Sequence, residues 1–216
     1  AVTSITVQAK DANGNNRTST SGTVVVSITG ANTATPTVTD NLNGTYSASY
    51  TPTVAGTDNI AITLGGGAIS GSPYSSVVSV GALDHFNVTN TSDAAIGAQT
   101  AGTSFTIRIR AKDANNNTVP SFTGTVDLTS TGTLTGAPIT TAAFTAGELL
   151  TQAVTITNTG SFTITATRTS GGAQAGTSAT FAVSAGAANP ATSTASVPAG
   201  TAGSITTITV QAKDAS

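Results

Sequence analysis

An all-β chain of tandem sandwiches, about seven strands in each, is the fold class that the sequence predicts. Three observations carry it. Threonine fills 46 of the 216 positions, and its branched Cβ, like that of valine, favours a pleated, half-buried backbone. Apolar and polar residues alternate in short runs separated by Gly and Asn turns, which is the period of a sheet with one covered face. The string Ala-Lys-Asp-Ala occurs at 9–12, 111–114 and 212–215, at spacings of 102 and 101 residues.

A period near 100 is too long for a solenoid coil and matches an immunoglobulin-like sandwich domain. At the 102 offset Ile5 and Val7 fall on Ile107 and Ile109, and Gly22-Thr23-Val24 falls on Gly124-Thr125-Val126. The segment Ser4 to Ala12 returns as Thr207 to Ala215. Three stretches follow. Residues 1–82 are a domain lacking its first strand. Residues 83–186 are a complete domain, and residues 187–216 are the first two strands of a third repeat, or strands donated elsewhere. Ala1 is expected to mark processing or an internal cut, because no Met stands there.

Taken in order, the first period predicts strands near 2–10, 22–29, 36–40, 44–51, 57–64 and 74–80. In the second, Phe86 and Val88 share a face of the opening strand. Phe105, Ile107, Ile109 and Ala111 line one face of the next, with Arg108, Arg110 and Lys112 opposite. Val126 and Leu128 turn inward across Asp127, and further strands are expected over 139–144, 149–156, 162–166 and 181–183. Asn115-Asn116-Asn117, Thr131-Gly132, Ala146-Gly147, Thr159-Gly160 and Gly171-Gly172 supply the turns. Beyond them, strands are expected at 191–197 and 205–212.

Composition excludes several classes of function. Seven Lys+Arg against nine Asp+Glu, 7% charged in all, cannot make the basic stripe that nucleic acid demands. No apolar run approaches the roughly 18–20 residues of a membrane helix. The absence of Cys removes disulfide scaffolds, zinc knuckles and thiol catalysis.

The run Val38 to Pro52, with Gly44-Thr45-Tyr46 opening a strand that closes on Tyr50-Thr51-Pro52, resembles the filamin-type immunoglobulin repeat. The likeness continues at Gly56 and in Ile69-Ser70-Gly71-Ser72-Pro73-Tyr74, and it covers roughly residues 2 to 82. It departs at Asp58-Asn59, where that family often carries an aromatic; looser packing is expected there. Leu83-Asp84-His85-Phe86, Ala111 to Asn115 and Phe122 to Val126 resemble instead the immunoglobulin-like repeats of giant bacterial surface proteins, akin to invasin and intimin stalks. That resemblance implies tandem rods holding something away from a cell, or structural fibres, and supplies no catalytic residues.

Each chemical candidate has an ordinary structural reading. His85 has no second His to join it, and a general base needs an oriented partner and a nucleophile. Asp11 to Asn15 and Asp113 to Asn117 look like the front half of a calcium loop, yet the closing Glu is replaced by Gly22 and Gly124. Turns are therefore the favoured reading. Lys10, Lys112 and Lys213 have the outward parity of their strands, which disfavours an isopeptide crosslink. Glu148 is the one glutamate, and no second carboxylate shares a motif with it, so a glycosidase pair is unsupported. Sequons at Asn16, Asn43, Asn87, Asn90 and Asn116 are no more numerous than chance gives, although glycans on Thr, Ser or Asn remain compatible. No catalytic, cofactor-binding or metal-binding residue is assigned, and no cofactor is expected. The expectation is an extracellular or cell-surface structural segment whose partners are neighbouring repeats or other copies. Its alternative is an assembly module that completes or accepts a β-strand from a neighbouring chain.

Overall fold

Alternation in the first period becomes strands almost where it was read. The computed structural model describes residues 1–215, and among them it has strands and turns but no helix. The chain divides into two units, Ala1–Gly81 and Ala82–Ser216.

The first unit contains β1 (Thr3–Gln8), β2 (Val24–Gly30), β3 (Thr39–Asp40), β4 (Thr45–Tyr50), β5 (Gly56–Leu64), β6 (Gly67–Ala68) and β7 (Tyr74–Val78). One sheet runs β1-β4-β3, and the other sets β2 and β7 against β5, with β6 on its end. Inward residues of both sheets meet in a core of Val7, Ala9, Val24, Val26, Ile28, Tyr46, Ala48, Tyr50, Ile60 and Ile62. The turn into β4 forms because its polar side chains serve its own backbone. Asp40 accepts from the Leu42 N–H at 2.8 Å and Asn43 from the Thr45 N–H at 3.0 Å. Gly44 sits at φ +83°, and a Cβ there would strike the Arg17 carbonyl, so only glycine fits.

The second unit carries β8 (His85–Thr89), β9 (Gln99–Thr100), β10 (Phe105–Lys112), β11 (Val126–Ser130), β12 (Ile139–Thr140), β13 (Glu148–Val154), β14 (Gly160–Phe162), β15 (Ile164–Arg168), β16 (Ala175–Thr177) and β17 (Phe181–Ser184). β13-β10-β8 form one sheet, and β12-β11-β15-β16 form a second. β14-β17-β9 form a third, with β9 parallel to β17. Ile107, Ile109, Ala111, Val126, Leu128, Ile164 and Ala166 are fully enclosed. Phe86, Phe122 and Phe144 pack as mutual neighbours, with centroids 5.0 to 5.8 Å apart.

Several expected strands are shorter than the alternation implied: the run 36–40 keeps only β3, and the run 162–166 breaks at Thr163 into β14 and β15, which belong to different sheets. The run 139–144 keeps sheet form only at β12; Phe144 is buried from a loop, its N–H bonded to Gly124. The run 149–156 ends at Val154, and buried Ile156 instead accepts from Gly102 and bridges Leu134. At the far end β18 (Thr194–Ser196) and β19 (Thr209–Gln211) pair over three positions. There Ile205 is 99% exposed, so apolar spacing alone did not make a strand of it.

The looser packing expected at Asp58-Asn59 is not found. Asp58 is wholly buried and takes the inward position next to Ile60 and Ile62 along β5. Its carboxylate accepts from the Tyr50 hydroxyl at 2.8 Å, the Asn32 backbone N–H at 2.7 Å and the Asn32 amide at 3.1 Å. A hydrogen-bonded acid replaces the aromatic, and the space is filled.

Candidate functional site

The first unit has an open sheet edge. β1 pairs with β4 from Thr3↔Tyr50 to Gln8↔Thr45 and has no other strand partner among the described residues. The Ala9 N–H bonds Gly44 on the β4 side at 2.9 Å. Hydrogen-bonding direction alternates along a strand, so Val7 and Ile5 also face β4 while Thr6 and Gln8 point their backbone groups away from it. In the second unit the corresponding strand is covered. There β10 pairs with β13 on one side and β8 on the other, Val88 opposite Ile109 and Phe86 opposite Ala111. The Asp84 N–H reaches the Lys112 carbonyl at 2.8 Å, which shows which parity faces β8.

Below the open edge lies a groove of about 400 Å³ lined by Thr3 to Gln8 of β1 and by Ile60, Ile62, Ile69, Tyr74 and Ser76. Its apolar walls are only half covered. Ile5 and Ile69 are of intermediate exposure and Tyr74 is 43% exposed, whereas Ile107, the counterpart of Ile5, is fully enclosed. Unpaired N–H and C=O groups above an apolar trough are what an added strand binds.

A second cluster forms on the outer face of β10. Arg108 meets Asp93 at 3.0 Å and Glu148 at 3.0 Å; Arg110 meets the same two acids at 2.7 and 2.8 Å. The outward parity of both arginines was legible, but their acids lie 15 to 17 and 38 to 40 positions away, beyond the reach of strand periodicity. Both arginines are at least three-quarters covered, which makes the cluster a clasp between β10 and β13. Glu148→Gln is expected to cost about 1–2 kcal/mol. Denaturant unfolding of the second unit at low and high salt checks this, and screening is expected to narrow the difference.

The remaining candidates serve the backbone. Asp11 accepts from the Asn13 and Asn15 N–H groups, both at 2.9 Å. Hydrogen bonds from the Asn15 side chain and backbone, outweighing burial, lower its pKa. Asp113, 2% exposed, accepts from the Asn115 and Asn117 N–H groups at 2.9 and 2.8 Å. His85 lies 3.0 Å from Asp84 and 3.2 Å from Asn116, so it links the start of β8 to the Asp113 turn. Lys10 and Lys213 are exposed, whereas Lys112 is half-buried and donates to Thr118 at 3.0 Å. Burial, helped by the Arg110 charge, lowers the Lys112 pKa. Of the sequon residues, Asn16, Asn43, Asn87 and Asn116 are exposed, and Asn90 is half-buried. Among the described residues no three His, Asp or Glu side chains gather as a metal site, and no helix is long and apolar enough to cross a membrane.

Residues 1–75 match the family model described as the Filamin/ABP280 repeat, in agreement with the resemblance carried by Gly44-Thr45-Tyr46 and Tyr50-Thr51-Pro52. Among curated proteins none matches the chain. Among solved structures the chain is similar to the Escherichia coli adhesin FdeC, with 24% identity over 99% of this chain and 69% of that one and a TM-score of 0.44. It is similar to invasin, described as a bacterial integrin-binding protein, with 20% identity, 85% and 36% coverage and a TM-score of 0.42. Similarity to the Yersinia pseudotuberculosis adhesin InvE is 20% identity, 84% and 54% coverage and a TM-score of 0.38.

Proposed function

We propose that this chain is a structural segment of an extracellular fibre or cell-surface stalk, built from tandem β-sandwich repeats and containing no enzyme. One observation carries the reading. A strand and turn of nearly one sequence return at β1, β10 and β19, and the first two each floor a core of their own. Repeats with private cores can be strung in series to add reach, since each strand of six to nine residues spans about 20–30 Å. Load applied to the two chain ends is expected to unfold the units as two separate events. They should release roughly 280 Å for the 81 residues of the first unit and roughly 350 Å for the hundred residues from β8 to β17. Single-molecule stretching checks this, with antibody labelling of intact cells as the companion measurement. A single merged event, or labelling only after lysis, would overturn the reading.

A second reading is favoured by the open edge of β1: an assembly module that accepts a strand from a neighbouring chain. Its support is the unpaired strand above a half-covered apolar groove, in the place that β8 fills in the second unit.

A further inference from the structure

We infer that Asp214, the acid of the last Ala-Lys-Asp-Ala turn, is a joint residue that fastens the strands following the second sandwich to the end of that sandwich. This rests on the stalk reading above and names the contact that stiffens it.

Two segments are sewn together at the joint. The Gly186 N–H donates to the Asp214 carboxylate at 2.8 Å. Further on, the Asn189 N–H donates to the Lys213 carbonyl at 2.7 Å, and the Lys213 N–H donates to the Ser193 hydroxyl at 3.1 Å. The Thr192 hydroxyl donates to the Asp214 carbonyl. Residues 186–193 are thus bonded along their length to residues 213–214. The sandwich side is anchored as well: β17 ends at Ser184, whose carbonyl accepts from the Ala101 N–H at 2.9 Å. Asp214 and Ala215 also wall a cleft of about 320 Å³ against Thr100 to Thr103, at the turn between β9 and β10.

Recurrence separates this contact from a chance one. The bond from Asn189 to Lys213 has a counterpart at the start of the second sandwich, where the Asp84 N–H donates to the Lys112 carbonyl at 2.8 Å. Lys112 and Lys213 hold the same place in Ala-Lys-Asp-Ala, and Val-Ser-x-Gly-Ala precedes Asp84 at 78–82 as it precedes Asn189 at 183–187. The strands after the second sandwich therefore begin as that sandwich itself begins. Asp214 adds a tie back to the residue that leaves β17. In the matching turns Asp11 and Asp113 give Oδ1 to their own backbone N–H groups and Oδ2 to an Asn side chain. Asp214 turns Oδ2 to Gly186, so one acid can close a turn and hold a linker. A carboxylate accepting a backbone N–H is charge-assisted and roughly twice as strong as a neutral pair. Only Ala187 and Ala188 lie between the two tied amides. The connection therefore has little slack, and it sets the angle at which the next repeat leaves.

The test uses the whole 216-residue chain and amide hydrogen exchange resolved by residue, in the parent, Asp214→Ala and Lys213→Ala. The expected result is that the Gly186 and Asn189 amides exchange about tenfold or more slowly than in a synthetic peptide of residues 183–193. Gly186 should lose that protection in Asp214→Ala and keep it in Lys213→Ala, because Lys213 serves the joint through its backbone. An unchanged Ile109 amide verifies that the sandwich stays folded. A Gly186 amide that exchanges at the peptide rate in the parent, that is indifferent to Asp214→Ala, or that both substitutions loosen equally would overturn the joint and leave the stalk reading standing. That reading fails separately, on a single merged unfolding event or on labelling only after lysis.

Discussion

Phe86→Ala is expected to lower the stability of the second unit by about 3–5 kcal/mol, the range for emptying a buried phenylalanine site. Phe86 is 2% exposed, packs edge-on against Phe122 at 5.2 Å and lies 5.8 Å from Phe144. Removal takes away two ring contacts, each worth about 0.5–1.5 kcal/mol beyond area. It also leaves a cavity that backbone cannot close: a Cβ on Gly176 would already collide with the Phe86 carbonyl, so the backbones of β8 and β16 are at their limit of approach. Phe86→Leu, which refills most of the volume, is expected to cost less than half as much. The two units can be read separately in one sample. All six phenylalanines lie in the second unit and all three tyrosines in the first, so tyrosine emission follows one transition and phenylalanine signals follow the other. A shift of roughly 15 °C or more is expected for the second unit alone. A shift below a few degrees, or an equal shift of the tyrosine transition, would show that the ring cluster does not carry that core.

How much of this was visible in the residues depends on how local the cause is. Ile107, Ile109 and Ala111 face inward because period-2 alternation dictates it, and Gly44 and Gly147 mark turns because their backbones sit at φ +83° and +79°. The Asp11 and Asp113 turns are equally local, each acid bonding N–H groups two and four residues on. Illegible were the interactions that need the sheet first. Asp93 and Glu148 find the same two arginines only after β8 and β13 lie on either side of β10. Asp58 reads as a poor core residue until β5 brings it under Tyr50 and the 30–32 turn. Single-residue exceptions in a strand pattern were therefore the least readable positions, since their partners come from other strands.

Asp58→Ala is expected to destabilise the first unit by about 3 kcal/mol or more. It strips the shared acceptor from the Tyr50 hydroxyl and from two Asn32 groups in a buried setting, and each stranded donor carries a desolvation cost of about 1–3 kcal/mol. Asn32 also accepts from the Thr53 and Val54 N–H groups, so loosening it frees the approach to β5. The pH dependence separates this network from simple packing. Burial pushes the Asp58 pKa up, but the Asn32 N–H, the Tyr50 hydroxyl and the Asn32 amide together outweigh it, so the folded value lies below the ordinary one. As pH falls the unfolded chain takes the proton first, at about pH 4. The contribution is therefore full above that pH and is lost as pH falls on through the folded value. Tyr50 behaves in the opposite sense: burial, then Asp58, raises its pKa. The unfolded chain thus loses that proton first, and stability declines as pH rises beyond about 10. Asp58→Asn keeps the shape and removes the charge. Unfolding followed by tyrosine emission should show its deficit from the parent largest near neutrality and shrinking below pH 4. A deficit that stays constant down to pH 2 would mean that the Asp58 charge contributes nothing and that the site is held by packing alone.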